Sequence, residues 1–257
     1  MRGAWWTRAD ASAKTIAEAR DAEIDALSQG DRDALAAIWQ NRGGLELQVG
    51  SGFAAISREL VEHGAARAVL EIVSQAVRDE VRHAEISVEL AARYRGTEVI
   101  WPQPTKVHIP ELAPAQGSLL ATLHVIAMCC VNETVACAVL EAALSRARSP
   151  LVRAGLQSIL SDEIDHARAG WAHLATLDAA TKRVLPNWIK RLLAGKLDAL
   201  LAEEAPMPGE GFPDHGMLSR EAFRETVRAA LDDVVLPGFE RAGIDTGPAR
   251  DWAQSSR

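Results

Sequence analysis

Apolar residues recur at three- and four-residue intervals along two stretches in the first half of the chain, about Asp31 to Glu62 and about Ala66 to Arg95, with a break at His63-Gly64. That period marks amphipathic helix, and so short a break predicts an antiparallel hairpin. The second half repeats the arrangement, with helices over about Ser118 to Arg146 and about Leu151 to Leu177 around a break at Ser149-Pro150. Between the hairpins, Gly96 to Gly117 carries Pro102, Pro104, Pro110 and Pro114. About 22 residues can run the length of a bundle when extended, so this segment is expected to cross over rather than turn tightly.

The flanks also read as helical. An Ala-rich amphipathic helix is expected over about Thr7 to Leu27 (the segment 7–30), ending near Ser28-Gln29-Gly30, with Asp31 as N-cap of the first bundle helix. After the bundle, Lys182 to Leu201 reads as a helix interrupted near Pro186, and Ala205 to Gly216 as loop. A last helix, capped by Ser219, is expected to end about Pro237-Gly238. No strand pattern stands out. The predicted fold is all-α and a single domain over 1–257: a four-helix bundle over 31–177 with an N-terminal helix and a C-terminal helical extension over 178–257.

One phrase occurs twice on these helices: Asp79-Glu80-Val81-Arg82-His83-Ala84 and Asp162-Glu163-Ile164-Asp165-His166-Ala167. A Glu and a His three residues apart share a helical face, about one turn apart, and can share a metal ion. Two such pairs, with one Glu from each of two further helices, make the dinuclear carboxylate site of a four-helix bundle. The turns identify the missing pair. Glu80 and His83 lie 16 and 19 residues after Gly64, and the only acid between Leu45 and Gln48, the matching window before it, is Glu46. Glu59 and Glu62 miss that level by some 16 Å at about 1.5 Å per residue. In the second hairpin, Glu133 lies at the height of Glu163 and His166, whereas Glu141 sits too near the turn. The candidate metal ligands are therefore Glu46, Glu80, His83, Glu133, Glu163 and His166.

A lone Glu-x-x-His says little, because Glu is common on solvated helix faces. Two copies that share the preceding Asp and the following Ala, each with a height-matched Glu upstream, are far harder to obtain by chance. The ligand order Glu46, Glu80-x-x-His83, Glu133, Glu163-x-x-His166 resembles the ferritin-like superfamily of di-iron carboxylate proteins over about residues 31 to 177. The string Trp39-x-x-Arg42-x-x-x-Glu46, followed by Phe53 and Leu60, is similar to the first helix of bacterial members of this length. The resemblance implies that Glu80 and Glu163 bridge two metals, with Glu46 and His83 completing one site and Glu133 and His166 the other. Oxygen-rich sites with one imidazole per ion suit iron, with manganese as the alternative. Asp79 and Asp162, each four residues before a His, are candidates to hold the outer imidazole nitrogens; otherwise they are surface residues on the bundle's flank.

The resemblance further implies an O2-dependent oxidase or oxygenase acting on a small organic substrate, with electrons from an external donor. The alternatives are an iron-handling ferroxidase and a metal-free helical binding module. Within the family, the p-aminobenzoate N-oxygenases add a third His four residues before the last motif's Glu, where this chain has Ile159. Members that hydroxylate tRNA need a basic surface, whereas net charge here is −7 with no basic run, which argues against nucleic acid and anionic membranes. No apolar stretch is expected to span a bilayer, and three cysteines form no disulfide framework, so a cytoplasmic protein is expected, with a homodimer as one state open to it.

Four glycines, Gly43, Gly44, Gly50 and Gly52, lie in the first bundle helix, where each costs about 1 kcal/mol against Ala. Gly43 and Gly50 flank Glu46 on its own face. They open a substrate pocket, mark a local helix irregularity, or admit the N-terminal helix. Cys130 and Cys137 surround Glu133 at helical spacing and are the other candidates for pocket lining. Cys129 and Cys130 otherwise read as small buried hydrophobes.

Overall fold

The structure is a computed structural model that describes residues 20–103, 112–201 and 210–255. Among these residues it is all-helical, its helices packed together into a bundle, and the only β feature is an isolated bridge between Phe212 and Met217. A short α1 (Ala22–Asp25) leads to α2 (Gln29–Glu62), α3 (Arg67–Arg95), α4 (Gly117–Arg146), α5 (Pro150–Thr176) and α6 (Ala179–Leu201). A 3-10 turn (Pro213–His215), α7 (220–241) and α8 (Gly247–Ser255) follow.

Local chemistry sets the ends. Ser28, not Asp31, caps α2: its Oγ accepts the Asp31 amide at 3.1 Å and donates to the Asp31 carboxylate at 2.7 Å. The expected N-terminal helix lies mostly outside the described residues; the part within them stops at Asp25. Gly64 (φ 67°) and Gly96 (φ 76°) take the left-handed turns after α2 and α3 that side-chain-bearing residues avoid. The second hairpin turn is held by Asp21, fully buried, whose Oδ2 accepts from Ser149 Oγ (2.6 Å) and the Leu151 amide (3.1 Å).

Gly117, at the start of α4, lies beside His63 at the end of α2, whereas α3 ends at the opposite pole, where Arg93 pairs with Asp25. The connection from α3 to α4 therefore traverses the bundle, so α2 and α5 run one way and α3 and α4 the other. Its Pro104 and Pro110 lie outside the described residues. Pro102 packs against Gly43 and Gly44 of α2.

Two apolar clusters fill the bundle. One, at the Ser149 pole, contains Leu35, Trp39, Leu90, Tyr94, Leu156 and Ile159. The other, at the His63 pole, contains Phe53, Ile56, Leu60, Val73, Cys129 and Ala169. A third core joins Leu123, Ile126 and Val131 of α4 to Leu185 and Ile189 of α6 and Val235 and Phe239 of α7. Sandwiched in this way, α4 is buried on opposite sides. It is also long and apolar enough by composition to cross a membrane, contrary to the expectation that no stretch is, and most of it is buried inside the protein.

Two further expectations are corrected. α6 continues through Pro186 rather than breaking there. α7 runs past Pro237-Gly238 to Arg241, and α8 follows it; Gly247-Pro248 at its start is the proline-in-first-turn signal. Residues 126–133 of α4 and 231–235 of α7 are π-helical.

Candidate metal centre

Close helix contacts set the levels of the ligands. In the first hairpin, a Cβ on Gly50 would lie 3.0 Å from the Glu80 Cβ, and Ser57 Oγ is 3.0 Å from Ser74 Oγ. This register brings Glu46 level with the Glu80–His83 turn. In the second, a Cβ on Gly170 would lie 2.7 Å from both Cys129 Cβ and Cys130 Sγ, which brings Glu133 level with His166. All six side chains are buried, Glu80 and His83 completely.

They converge into two groups, Glu46, Glu80, His83 and Glu163, and Glu80, Glu133, Glu163 and His166. In each, one ligand atom per residue lies within 4.8 Å of all the others, so each could hold a metal ion. Glu80 and Glu163 belong to both, and their oxygens divide accordingly. His83 Nδ1 is 3.4 Å from Glu80 Oε2 and 3.4 Å from Glu163 Oε1. His166 Nδ1 is 3.3 Å from Glu80 Oε1 and 2.9 Å from Glu163 Oε2. Each shared carboxylate thus offers one oxygen to either imidazole.

Several of these atoms are buried without a hydrogen-bond partner: both Glu80 oxygens, Glu133 Oε1 and His83 Nδ1. Native proteins leave few such groups, because an unsatisfied buried polar atom costs about 1–3 kcal/mol. Carboxylate oxygens and imidazole nitrogens that face one another in this way could be satisfied by cations.

The outer imidazole edges are held crosswise. His83 Nε2 lies 3.2 Å from Asp162 Oδ2, and His166 Nε2 lies 3.6 Å from Asp79 Oδ2, so each aspartate faces the histidine of the other motif. Neither is a flank residue: Asp79 and Asp162 are 5 % and 2 % exposed. Arg82 pairs with Asp162 and donates to Ser158 Oγ at 2.6 Å, while Gln75 donates to Asp79 Oδ1 at 3.0 Å. Glu46 accepts from Arg42 Nε at 2.8 Å, and that guanidinium lies 5.4 Å over the Trp39 ring. Phe53 stacks obliquely on His166, with ring centroids 5.1 Å apart.

Proton affinities follow from this crowding. Burial alone would lower the His83 pKa, but the Glu163 and Glu80 carboxylates, each 3.4 Å from Nδ1, override it and lift it to about 9. For His166 burial is likewise outweighed, by Asp79, Glu163 and Glu80, and the pKa rises to about 12. Burial, then the charge of Glu163, pushes the Glu80 and Glu133 carboxyls up. Glu163 goes down: burial opposes its charge, but His166 and His83 prevail. A metal-free centre therefore keeps protons that a divalent cation would displace.

Other expectations need correction. Among the described residues, Gly43 and Gly50 face α3 rather than a pocket. Added Cβ atoms would meet Ala84 O and Val88 Cγ2 at 3.3 Å, or Glu80, so these glycines admit α3. The helix irregularity lies instead in α4, where the π segment Ile126–Glu133 ends on a ligand, a placement frequent at functional sites. Cys130 is fully buried against Gly170 rather than lining a pocket. Cys137 is half-buried near the ligands: burial first, then the charges of Glu163 and Glu133, pushes its thiol up to about 12. His173 contacts Thr122 Oγ1 at 3.1 Å, and His124 contacts Glu59 Oε2 at 2.7 Å. Ile159 is buried in the Ser149-pole cluster. Two surface cavities, of about 310 and 470 Å³, are lined by none of the six ligands. Sequence reasoning missed Arg42 as a partner of Glu46, although its spacing of four residues signals the pair. It also missed Arg82, whose partners lie on another helix.

No family model matches the chain, and no curated protein or solved structure matches it significantly.

Proposed function

We propose that this chain is a ferritin-like di-iron protein, an oxidase or oxygenase that uses O2 to oxidise a small organic substrate. The observation that carries the reading is the division of Glu80 and Glu163, each with one oxygen toward His83 and the other toward His166. A carboxylate so divided could be shared between two ions. Glu46 and His83 would complete one ion's ligands, Glu133 and His166 the other's. The single long crossover and the run of α2 and α5 against α3 and α4 accord with the ferritin-like arrangement.

Two ferrous ions held there would supply electrons to O2; insertion of one oxygen atom and reduction of the other to water consume two electrons and two protons from an external donor. The protein's part is ligation, orientation and exclusion of water. Asp162 fixes the His83 imidazole with Nδ1 inward, and Asp79 faces the outer nitrogen of His166 at 3.6 Å. Phe53 and the apolar clusters at both poles keep the centre dry. Arg42 steadies the terminal carboxylate of Glu46. The packing of α6 and α7 over the outer face of α4 weighs against a storage cage built from bare four-helix subunits.

The test is O2 uptake by the Fe(II)-loaded chain, supplied with a chemical reductant and a panel of small aromatic and aliphatic compounds. Substrate-dependent turnover at two irons per chain supports the reading. Uptake that merely converts many irons per chain to a ferric mineral would replace it with iron storage.

A further inference from the structure

The helices that follow the bundle take no part in the metal centre, yet they build a cavity of about 470 Å³ against the outer flank of α5. Its back wall is Trp171. A Cβ on Gly238 would lie 2.6 Å from Trp171 Cη2, so the missing side chain lets the indole approach α7 closely. Phe239 packs against the indole with the rings tilted by 59° and centroids 5.3 Å apart. The indole is therefore held between α5 and α7 as an apolar wall. Ala175 and Val234 extend it, and Val234, at the end of the second π segment, is 46 % exposed.

Two cations, Lys182 and Arg241, complete the lining, which contains no acid. The nearest acids in sequence, Asp178 and Glu240, hydrogen-bond to other groups, although the Arg241 charge also reaches Glu240. Asp178 Oδ1 accepts the Thr181 amide at 2.7 Å, and Glu240 Oε1 accepts from Thr246 Oγ1 at 2.5 Å and from Arg250 Nε at 2.9 Å. In a chain of net charge −7, a concavity with two positive groups and an aromatic wall is a local reversal of sign.

We propose that this cavity binds a small organic anion, a carboxylate carried on an apolar body. Arg and Lys supply the fork and the point charge that recognise a carboxylate. Trp171 and Val234 supply the surface that removes the apolar body from water. The volume falls in the range of small-molecule sites, about 300–1,000 Å³. Trp171 is five residues beyond His166 on α5, so a ligand here sits on the helix that carries two of the candidate metal ligands. The proposal stands on the cavity and does not depend on the metal reading.

The test is calorimetric titration of the full chain with 1-naphthoate, decanoate and the neutral 1-naphthalenemethanol. Saturable binding of at least one acid is expected, at least about tenfold tighter than the alcohol; naphthoate against decanoate separates aryl from alkyl ligands. The double variant Lys182→Gln/Arg241→Gln and the cavity-filling Val234→Trp are each expected to weaken that acid at least about tenfold. Their Fe(II) stoichiometry should remain that of the parent. Absence of saturable binding by either acid, equal binding of the alcohol, or unchanged affinity in either variant would overturn the proposal.

Discussion

Asp162 of α5 reaches across the bundle to His83 of α3, its Oδ2 3.2 Å from the imidazole Nε2. The contact turns Nδ1 inward, toward Glu80 and Glu163, and ties the two repeated motifs to each other instead of leaving each self-contained. Removing the charge with Asp162→Asn should weaken binding of the metal proposed at His83 by about 10–100-fold, the usual cost of losing such a support. Asp79→Asn, at 3.6 Å from His166, should cost less. Anaerobic Fe(II) titration of both variants checks the order; equal affinities for parent and Asp162→Asn would contradict it.

The terminal and shared carboxylates should behave differently. Glu46→Gln and Glu133→Gln each touch one of the two groups, and each should lower binding from two ions to about one per chain. Glu163→Gln touches both and should impair both. Metal content after dialysis against a fixed Fe(II) or Mn(II) concentration distinguishes the classes.

The metal-free protein should lose stability as pH rises above neutrality. His83 is raised from 6.5 to about 9 and His166 from 6.5 to about 12, so the folded chain holds protons that the unfolded chain has released. That contribution is complete below pH 6.5 and is lost as pH rises through the folded values. The raised Glu80 and Glu133 act in the same direction, fully present below their unfolded value and lost as pH rises through the folded one. The depressed Glu163 acts only at the acid end, where its contribution disappears as pH falls below the unfolded 4.5. Thermal melts of chelator-treated protein should give a lower Tm at pH 10 than at pH 7. Binding of a divalent ion should show the opposite trend and tighten with pH, because the imidazoles must deprotonate to ligate.

Glycines separate packing from propensity. Gly170→Ala puts a methyl 2.7 Å from two cysteine atoms and 2.9 Å from the Cys130 amide nitrogen, and should destabilise by about 1–3 kcal/mol. Gly195, inside α6 with nothing within 4 Å, should gain about 0.5–1 kcal/mol on substitution by Ala. Chemical denaturation with matched m-values checks both signs.

The helical hairpins and the level of each candidate ligand were legible because α-helices convert residue counts into heights, and Gly64 and Pro150 mark the zero of each count. What α2 packs against was not: the sequence marks Gly43 and Gly50 as gaps but cannot say that α3 fills them. The cross-pairing of Asp79 and Asp162 is hidden for the same reason, since the local spacing links each aspartate to its own histidine while the fold presents it to the other. The π segment of α4 leaves no pattern either, because Ile126 to Glu133 suits an α-helix equally well. The Ser28 cap, by contrast, is open to reading, because Ser28-x-x-Asp31 is a helix-start signature that puts the cap three residues ahead of Asp31.

The most direct test of the central claim is an anaerobic Fe(II) titration of the full chain beside a Glu80→Ala/Glu163→Ala variant, read by bound metal per chain and by magnetic coupling between ions. The account predicts two ions per parent chain, coupled through shared carboxylates, and loss of the coupled pair in the variant. One ion or none in the parent, or a coupled pair that survives removal of both Glu80 and Glu163, would contradict it.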